Sequence, residues 1–347
     1  ENAFSLLFGA YYFQDETLYA NSKKLLQNEL DEQILEDGAH FELSPMYHQI
    51  IFSRLLDCIH LIKLNNLWKS DNLLENLKRK ASLMSSWLIN ISYKNGDIPM
   101  VNDSTYNISP STTKLLSYAD FLGIPKINLP LSQSGYRKII SKKYELFMDI
   151  GNIGPDYQPG HSHSDTFSFE LYVNKTPFIV DTGISTYEKN EIRQKERGTD
   201  SHNTVKINNI DQSEVWGGFR VARRAKVINF SENTNFISAT HDGYKRLGLS
   251  HERTFRWNNG KIEITDNLNK SSGGLANAHF HFHSSIKKPL IENGNLIFKD
   301  LDISISFLDF IKIDILEYQL SNGFNLTKNS YKIVVNFNRI LKTQISL

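Results

Sequence analysis

The residues with most chemical potential lie in one short run, Pro159-Gly160-His161-Ser162-His163-Ser164-Asp165. Two histidines at i and i+2 on an extended chain point to the same side, about 7 Å apart at their Cα atoms. Imidazole is a base near neutral pH and the commonest side-chain metal ligand, so the pair suits proton transfer or metal binding. A hydrogen-bonded surface pair has the same spacing. Asp181 follows, closing the apolar run Pro177-Phe178-Ile179-Val180. An acid at the end of a buried strand is costly unless it is paired or ligated. Ser201-His202-Asn203-Thr204 brings a further imidazole to a strand entry. His163, Asp181 and His202 together match a zinc site with an open fourth position. Read singly, Asp181 is a turn residue before Gly183 and His202 a strand-entry hydrogen-bonding group.

Two other clusters have chemical character. His279-Phe280-His281-Phe282-His283 alternates, so its imidazoles share one strand face. The outer two are about 13 Å apart, too far for one ion, and the run reads as a polar strand face turned to a ligand groove. Arg220, Arg223 and Arg224 form a basic cluster that suits an anionic ligand or a solvated strand edge.

The elements that must hold these residues change in texture along the chain. Residues 1 to about 130 read as helices, with apolar positions at helical spacing: Phe4, Leu7, Phe8, Tyr11, then Leu18, Leu25, Leu26, Leu30. Ser44 is placed as an N-cap with Pro45 at the first helical position, followed by Ile50, Ile51, Leu55, Leu56 and Ile59. Another helix is expected from about Asp71 to Ile91, and a shorter one from Pro110 to Phe121, stopped by Gly123. Between them, residues 96–109 form a loop containing Asn102 and Asp103. After a linker near residues 126–135, short runs rich in Val, Ile, Phe and Tyr alternate with turn pairs such as Asn174-Lys175 and Asn259-Gly260. Many strands without intervening helices imply an antiparallel sandwich. The predicted domains are therefore 1–130, helical, and 131–347, β.

Composition narrows the function classes. With 39 basic and 38 acidic residues in 347, the chain lacks the clustered positive charge of a nucleic-acid binder. Its 21 Phe, 15 Tyr and 4 Trp suit carbohydrate contact and equally fill large β cores. Cys58 is the sole cysteine, so no intrachain disulfide forms. No apolar stretch approaches the ~20 residues of a membrane span, and no signal peptide is evident. The chain opens on a helical pattern without a cap, which implies that the true N-terminus and any export signal lie elsewhere; a periplasmic location is expected ahead of a cytoplasmic one.

The run from Gly151 to Ala225 resembles the signature of the heparinase II/III family of polysaccharide lyases. The similarity is carried by Gly-Pro-Asp-Tyr-Gln-Pro-Gly-His-Ser-His-Ser-Asp, Phe-Ile-Val-Asp-Thr-Gly-Ile-Ser-Thr-Tyr, Ser-His-Asn-Thr-Val and Asp-Gln-Ser-Glu-Val-Trp-Gly-Gly-Phe-Arg-Val. The segment from Asp37 to His48 resembles the family region whose tyrosine is the catalytic acid, here Tyr47. At a helix start the macrodipole favours phenolate. The resemblance implies an α+β chain: an incomplete (α/α) toroid followed by an antiparallel β-sandwich. It also implies β-elimination on a uronic-acid-containing glycan, with Tyr47 and His161 catalytic and a divalent metal, zinc, held by His163, Asp181 and His202. His48, Asn102, Arg220 and His281 are candidate substrate contacts. The expected partner is an anionic polysaccharide or oligosaccharide. An Asn-His pair that neutralises the substrate carboxylate in the family is expected just upstream of Glu1. Its absence and the missing helices imply weak activity and exposed apolar faces that favour a homodimer. Two alternatives use the same residues: a zinc-dependent glycan hydrolase and a non-catalytic glycan-binding or assembly protein.

Overall fold

The helical half is organised by its caps. Ser44 Oγ accepts from the Tyr47 amide and Pro45 takes the first helical position, so α3 runs Pro45–Leu64. Asp15 caps α2 (Glu16–Gln33) through the Leu18 amide, and Ser111 caps α5 (Thr112–Phe121) through Lys114. α1 spans Asn2–Phe13 and α4 Leu73–Ile91. The computed structural model describes residues 1–69, 72–292 and 294–347, so the expected start of α4 at Asp71 lies outside the described residues. Leu73, Leu77, Ala81, Met84, Leu88 and Ile91 of α4 are buried, the i, i+3, i+4 stripe of a core-facing helix. Cys58 is buried, which with the neighbouring Asp57 pushes its thiol up to about 12. Among the described residues no helix is long and apolar enough to cross a membrane.

His48 belongs to this helical core and is not placed for ligand contact. It is fully buried against Trp87, with ring centroids 4.4 Å apart. Its Nδ1 accepts from the His40 amide and its Nε2 faces the Met84 carbonyl at 3.0 Å. Both nitrogens are satisfied in the neutral form, and burial lowers the imidazole pKa to about 3.

The chain divides into two units. One contains residues 1–98 and 106–134, the other residues 99–105 and 135–347. The division at residues 134/135 falls within the linker expected near residues 126–135, where buried Asp37 holds the segment that leads into the β unit. Its Oδ2 accepts from the Ser132 and Ser134 amides and from Ser134 Oγ.

In the second unit an antiparallel four-stranded sheet runs in order β1 (Tyr136–Ile140), β2 (Tyr144–Asp149), β3 (Phe169–Val173), β4 (Thr176–Ile179). Asn174 and Lys175 both have positive φ in the tight turn between β3 and β4, as their pairing in sequence suggests. Its central strands, β2 and β3, are buried on both faces. Tyr144, Leu146, Met148, Phe169 and Leu171 enter the main apolar core with residues of a larger sheet. The opposite face carries Glu145, Asp149 and Glu170, all buried.

The larger antiparallel sheet has ten strands. Eight follow the order β13 (Leu290–Glu292), β14 (Asn295–Phe298), β15 (Ile303–Ser321), β16 (Thr327–Ser346), β11 (Lys261–Leu268), β10 (His251–Trp257), β9 (Phe236–His241), β8 (Val227–Asn233). β12 (Ala276–His281) pairs with β16 and with β5 (Val205–Ile207). A separate hairpin is made by β6 (Glu214–Trp216) and β7 (Arg220–Ala222), and a short helix, α6, spans Glu191–Glu196. Helices first and antiparallel sheets afterwards are the α+β arrangement expected from the sequence texture.

The histidine run on β12 departs from expectation. His281 is fully buried and His279 is 6% exposed, so their shared face points into the protein. The cause is the register: His281 lies opposite Lys332 of β16, and both side chains meet the carbonyl of Asp200. His281 thus packs in the interior and does not line a groove.

The neutral, buried state of His48 sets an acid sensitivity. The unfolded chain protonates this residue below about 6.5, whereas the native state refuses the proton until about 3. Stability should fall as pH drops through that window, by roughly 1.4 kcal/mol per pH unit from this residue. His48→Gln retains a donor for Met84 and cannot titrate. Urea unfolding between pH 6.5 and 4 should show the shallower pH slope in the variant; an unchanged slope would remove His48 as a cause.

Candidate active site

Residues 99–105 carry the centre of the site into the second unit. Glu170 Oε1 accepts from the Met100 amide, the Ile184 amide donates to the Ser104 carbonyl, and the Asp103 amide donates to the His161 carbonyl. Asn102 sits in the left-handed region at φ 52°, which asparagine tolerates better than most residues. Its Oδ1 accepts from the His163 amide and its Nδ2 donates to Tyr136 Oη, both at 3.0 Å. Asn102 is 4% exposed and is committed to scaffolding, unlike the substrate contact expected of it.

Asp103 is fully buried and accepts from four nitrogens. His161 Nδ1 lies 2.7 Å from Oδ2, His163 Nε2 2.8 Å from Oδ1, and Arg193 of α6 grips both oxygens. Burial alone would raise this carboxyl; the two histidines and Arg193 overcome it and hold the group well below the usual range. An ionised Asp103 only accepts, so His161 carries its proton on Nδ1 and Nε2 becomes its basic nitrogen. His163 likewise carries its proton on Nε2, and burial keeps it neutral with a pKa of about 3. The His161 side chain is 23% exposed, while that of His163 is sealed. Tyr187 and Phe219 flank the His161 ring, each 6.3 Å away between centroids, and the Arg193 guanidinium lies 5.2 Å from both.

His202 and Asp181 form a second buried pair, with Nδ1 2.7 Å from Oδ2. Desolvation opposes charge on His202, but the facing Asp181 prevails and raises its pKa. The rings of His163 and His202 are 5.3 Å apart between centroids. Beside them, burial raises Asp165 to about 6 and Asp149 well above the carboxylate range. Asn203 anchors the chain after His202, donating to the Phe169 and Val180 carbonyls and accepting from the His281 amide.

The zinc expectation is corrected here. Among the described residues no group of three or more His, Cys, Asp or Glu is arranged to hold a metal ion. The three expected ligands are brought together and each makes a hydrogen bond, with His163 Nδ1 and His202 Nε2 left without a partner among the described residues. His163 Nε2 is turned to Asp103, and His202 and Asp181 bind one another. Asp181 Oδ1 also accepts from the Gly183 amide. The hydrolase alternative rested on the same ligand set and loses its support with it.

The remaining sequence candidates lie outside the buried cluster. Tyr47 is partly buried in the first turn of α3, in the helical unit. Arg220 is exposed on β7, and Arg223 and Arg224 pair with Glu214 and Asp156. Asp103, Arg193 and Arg197 were not singled out from the sequence. Arg197 ties the histidine segment down, donating to the Ser162 carbonyl from Nε and Nη2. The local signal was thin: Asp103 lies in a polar loop, and the arginines in a polar run without apolar periodicity.

The fold, a helical unit joined in sequence to a large antiparallel β unit, is similar to that of solved lyase structures. A heparan sulfate lyase of Pedobacter heparinus matches 99% of this chain and 59% of its own at a TM-score of 0.73 and 18% identity. A heparinase III structure matches 99% and 60% at 0.74 and 17%. The family model described as Heparinase II/III-like, C-terminal, matches residues 125–346, and that described as Heparinase II/III N-terminus matches residues 14–122. The chain belongs to the heparinase II/III family. A heparin-sulfate lyase of Bacteroides thetaiotaomicron is 26% identical over 282 residues, covering 70% of this chain and 39% of that protein. One of Pedobacter heparinus is 23% identical over 279 residues, covering 72% and 40%. The chain thus spans about two fifths of the length of these curated relatives.

The fourfold acceptance by Asp103 predicts a severe loss on Asp103→Asn. The amide turns two donors toward Arg193 and the histidines and leaves a buried guanidinium uncompensated. Breaking such a pair costs about 3–5 kcal/mol. Chemical denaturation should show that loss; a change under 1 kcal/mol would mean the cluster is not the buried charge centre described.

Proposed function

We propose that this chain belongs to a polysaccharide lyase that cleaves a uronic-acid-containing glycan by β-elimination, with heparan sulfate as the substrate class. The observation that carries the reading is the Asp103–His161 pair: a partly exposed imidazole, oriented through Nδ1 by a sealed carboxylate, with Asp103 in the N-terminal and His161 in the C-terminal heparinase II/III match. The curated relatives named heparin-sulfate lyases support the substrate class.

The chemistry sets what the residues must do. The C5 proton of a uronate lies beside a carboxylate and is weakly acidic. Its removal needs a positioned base and stabilisation of the charge that develops on the carboxylate. His161 offers Nε2 to take the proton or, when protonated, faces the carboxylate while the Tyr47 phenolate takes the proton. Tyr47 protonates the departing C4 oxygen, and the products are a saturated fragment and a 4,5-unsaturated uronate. Elimination consumes no water, so no water-activating group is needed. Asp103 keeps the imidazole in one tautomer through the cycle and stabilises its charged form, and Arg193 keeps Asp103 ionised.

The test is ultraviolet absorbance of the unsaturated product on a panel of heparan sulfate, chondroitin sulfate and alginate. Heparan sulfate should give the signal. Tyr47→Phe should abolish turnover with near-normal binding, since the ring still packs and only the transferable proton is lost. His161→Ala should lower the rate at least about a hundredfold. Saturated product ends, or full turnover in Tyr47→Phe, would overturn the mechanism.

A further inference from the structure

The hairpin β6–β7 ends beside His161 and presents two side chains that the reaction above does not use. Trp216 and Arg220 are direct cross-strand partners and therefore share a face. Their neighbours Val215 and Val221, also paired, pack inward with Ile153. Alternation then puts Trp216 and Arg220 outward. Trp216 is 41% exposed, and the Arg220 guanidinium makes no ion pair or hydrogen bond among the described residues. Arg223 and Arg224, by contrast, are held by Glu214 and Asp156.

The hairpin tip is fixed, which separates it from an ordinary surface turn. Gly217 and Gly218 take φ of 58° and 81°, a conformation that side chains resist. Arg193 Nε donates to the Gly218 carbonyl while its other nitrogens hold Asp103. Arg197 Nη2 contacts the Arg220 carbonyl while also holding Ser162, between the two histidines. Between Trp216 and Arg220, Phe219 flanks the His161 ring. One pair of buried arginines therefore locates both the imidazole and the hairpin.

We infer that Trp216 and Arg220 form a saccharide subsite next to His161 that takes a sugar ring bearing an anionic group. The indole offers an apolar face to the ring's C–H bonds. The guanidinium offers a planar donor fork to a sulfate or carboxylate. The pair is preorganised, because the backbone beneath it is clamped before ligand arrives. This inference rests on the glycan-lyase reading, and its test is built to fail separately.

The probes are a heparan sulfate hexasaccharide and its fully desulfated counterpart, with Trp216→Ala, Arg220→Gln and Arg220→Lys made in the complete chain. All three changes are on the exposed face, and far-ultraviolet circular dichroism checks the fold. Trp216→Ala and Arg220→Gln should each weaken hexasaccharide binding by calorimetry about tenfold. Each should raise KM with kcat unchanged, because such contacts are made equally in ground and transition states. Arg220→Lys should recover part of the loss. The Arg220→Gln penalty should shrink on the desulfated probe if sulfate is the group held and persist if carboxylate is, whereas the Trp216→Ala penalty should persist on both. Wild-type affinity in both Trp216→Ala and Arg220→Gln, or no binding of either probe to the parent chain, overturns the subsite. Tenfold losses in a chain that binds but yields no unsaturated product support the subsite and overturn the lyase reading alone.

Discussion

The buried carboxylate of Asp103 is the constraint on which the site depends. A sealed, unpaired anion would be too costly to keep, and here it is met by a bidentate guanidinium and two imidazoles. Each partner is positioned by the bond it makes. His161 and His163 have their tautomers set, and Arg193 has its remaining donor free to reach the Gly218 carbonyl. The acid is therefore less a single contact than the common origin from which the histidine segment, α6 and the β6–β7 hairpin take their places.

The surrounding electrostatics are graded by neighbours more than by depth. His163 and His202 are equally buried, yet His163 is driven down and His202 up. His163 shares Asp103 with Arg193, so its acid is already balanced. His202 has Asp181 to itself, with Asp165 adding negative field. Two imidazoles 5.3 Å apart thus differ in their readiness to hold a proton. This division of labour follows from the count of cations around each carboxylate.

Much of the fold was readable because its signals are local. Ser44-Pro45 marks the start of α3, and Gly123 the stop after α5, within a few residues of chain. The sheets announced themselves through apolar runs and the Asn174-Lys175 turn. The motif histidines and Asp181 were also found, and the structure brings them together. Their partnerships were not legible. Asp103 and Arg193 are 90 residues apart and Asp103 and His163 are 60 apart, and no periodicity encodes such a meeting. A ligand set and a pair of hydrogen-bonded dyads have the same residue types at the same spacing; only the direction of each imidazole separates them. The β12 histidines failed for a similar reason. Alternation gives a shared face, but whether that face meets solvent or the Asp200 carbonyl depends on a strand far along the chain.

The excursion of residues 99–105 has a consequence for how such chains diversify. The two family models meet near residue 123, so by descent Asp103 is counted with the helical half. Physically it belongs to the β unit. A crossover between two relatives at the apparent seam therefore gives the histidines of one parent the counter-ion loop of the other. The halves are not free cassettes, because the β unit includes seven residues embedded in its neighbour's sequence.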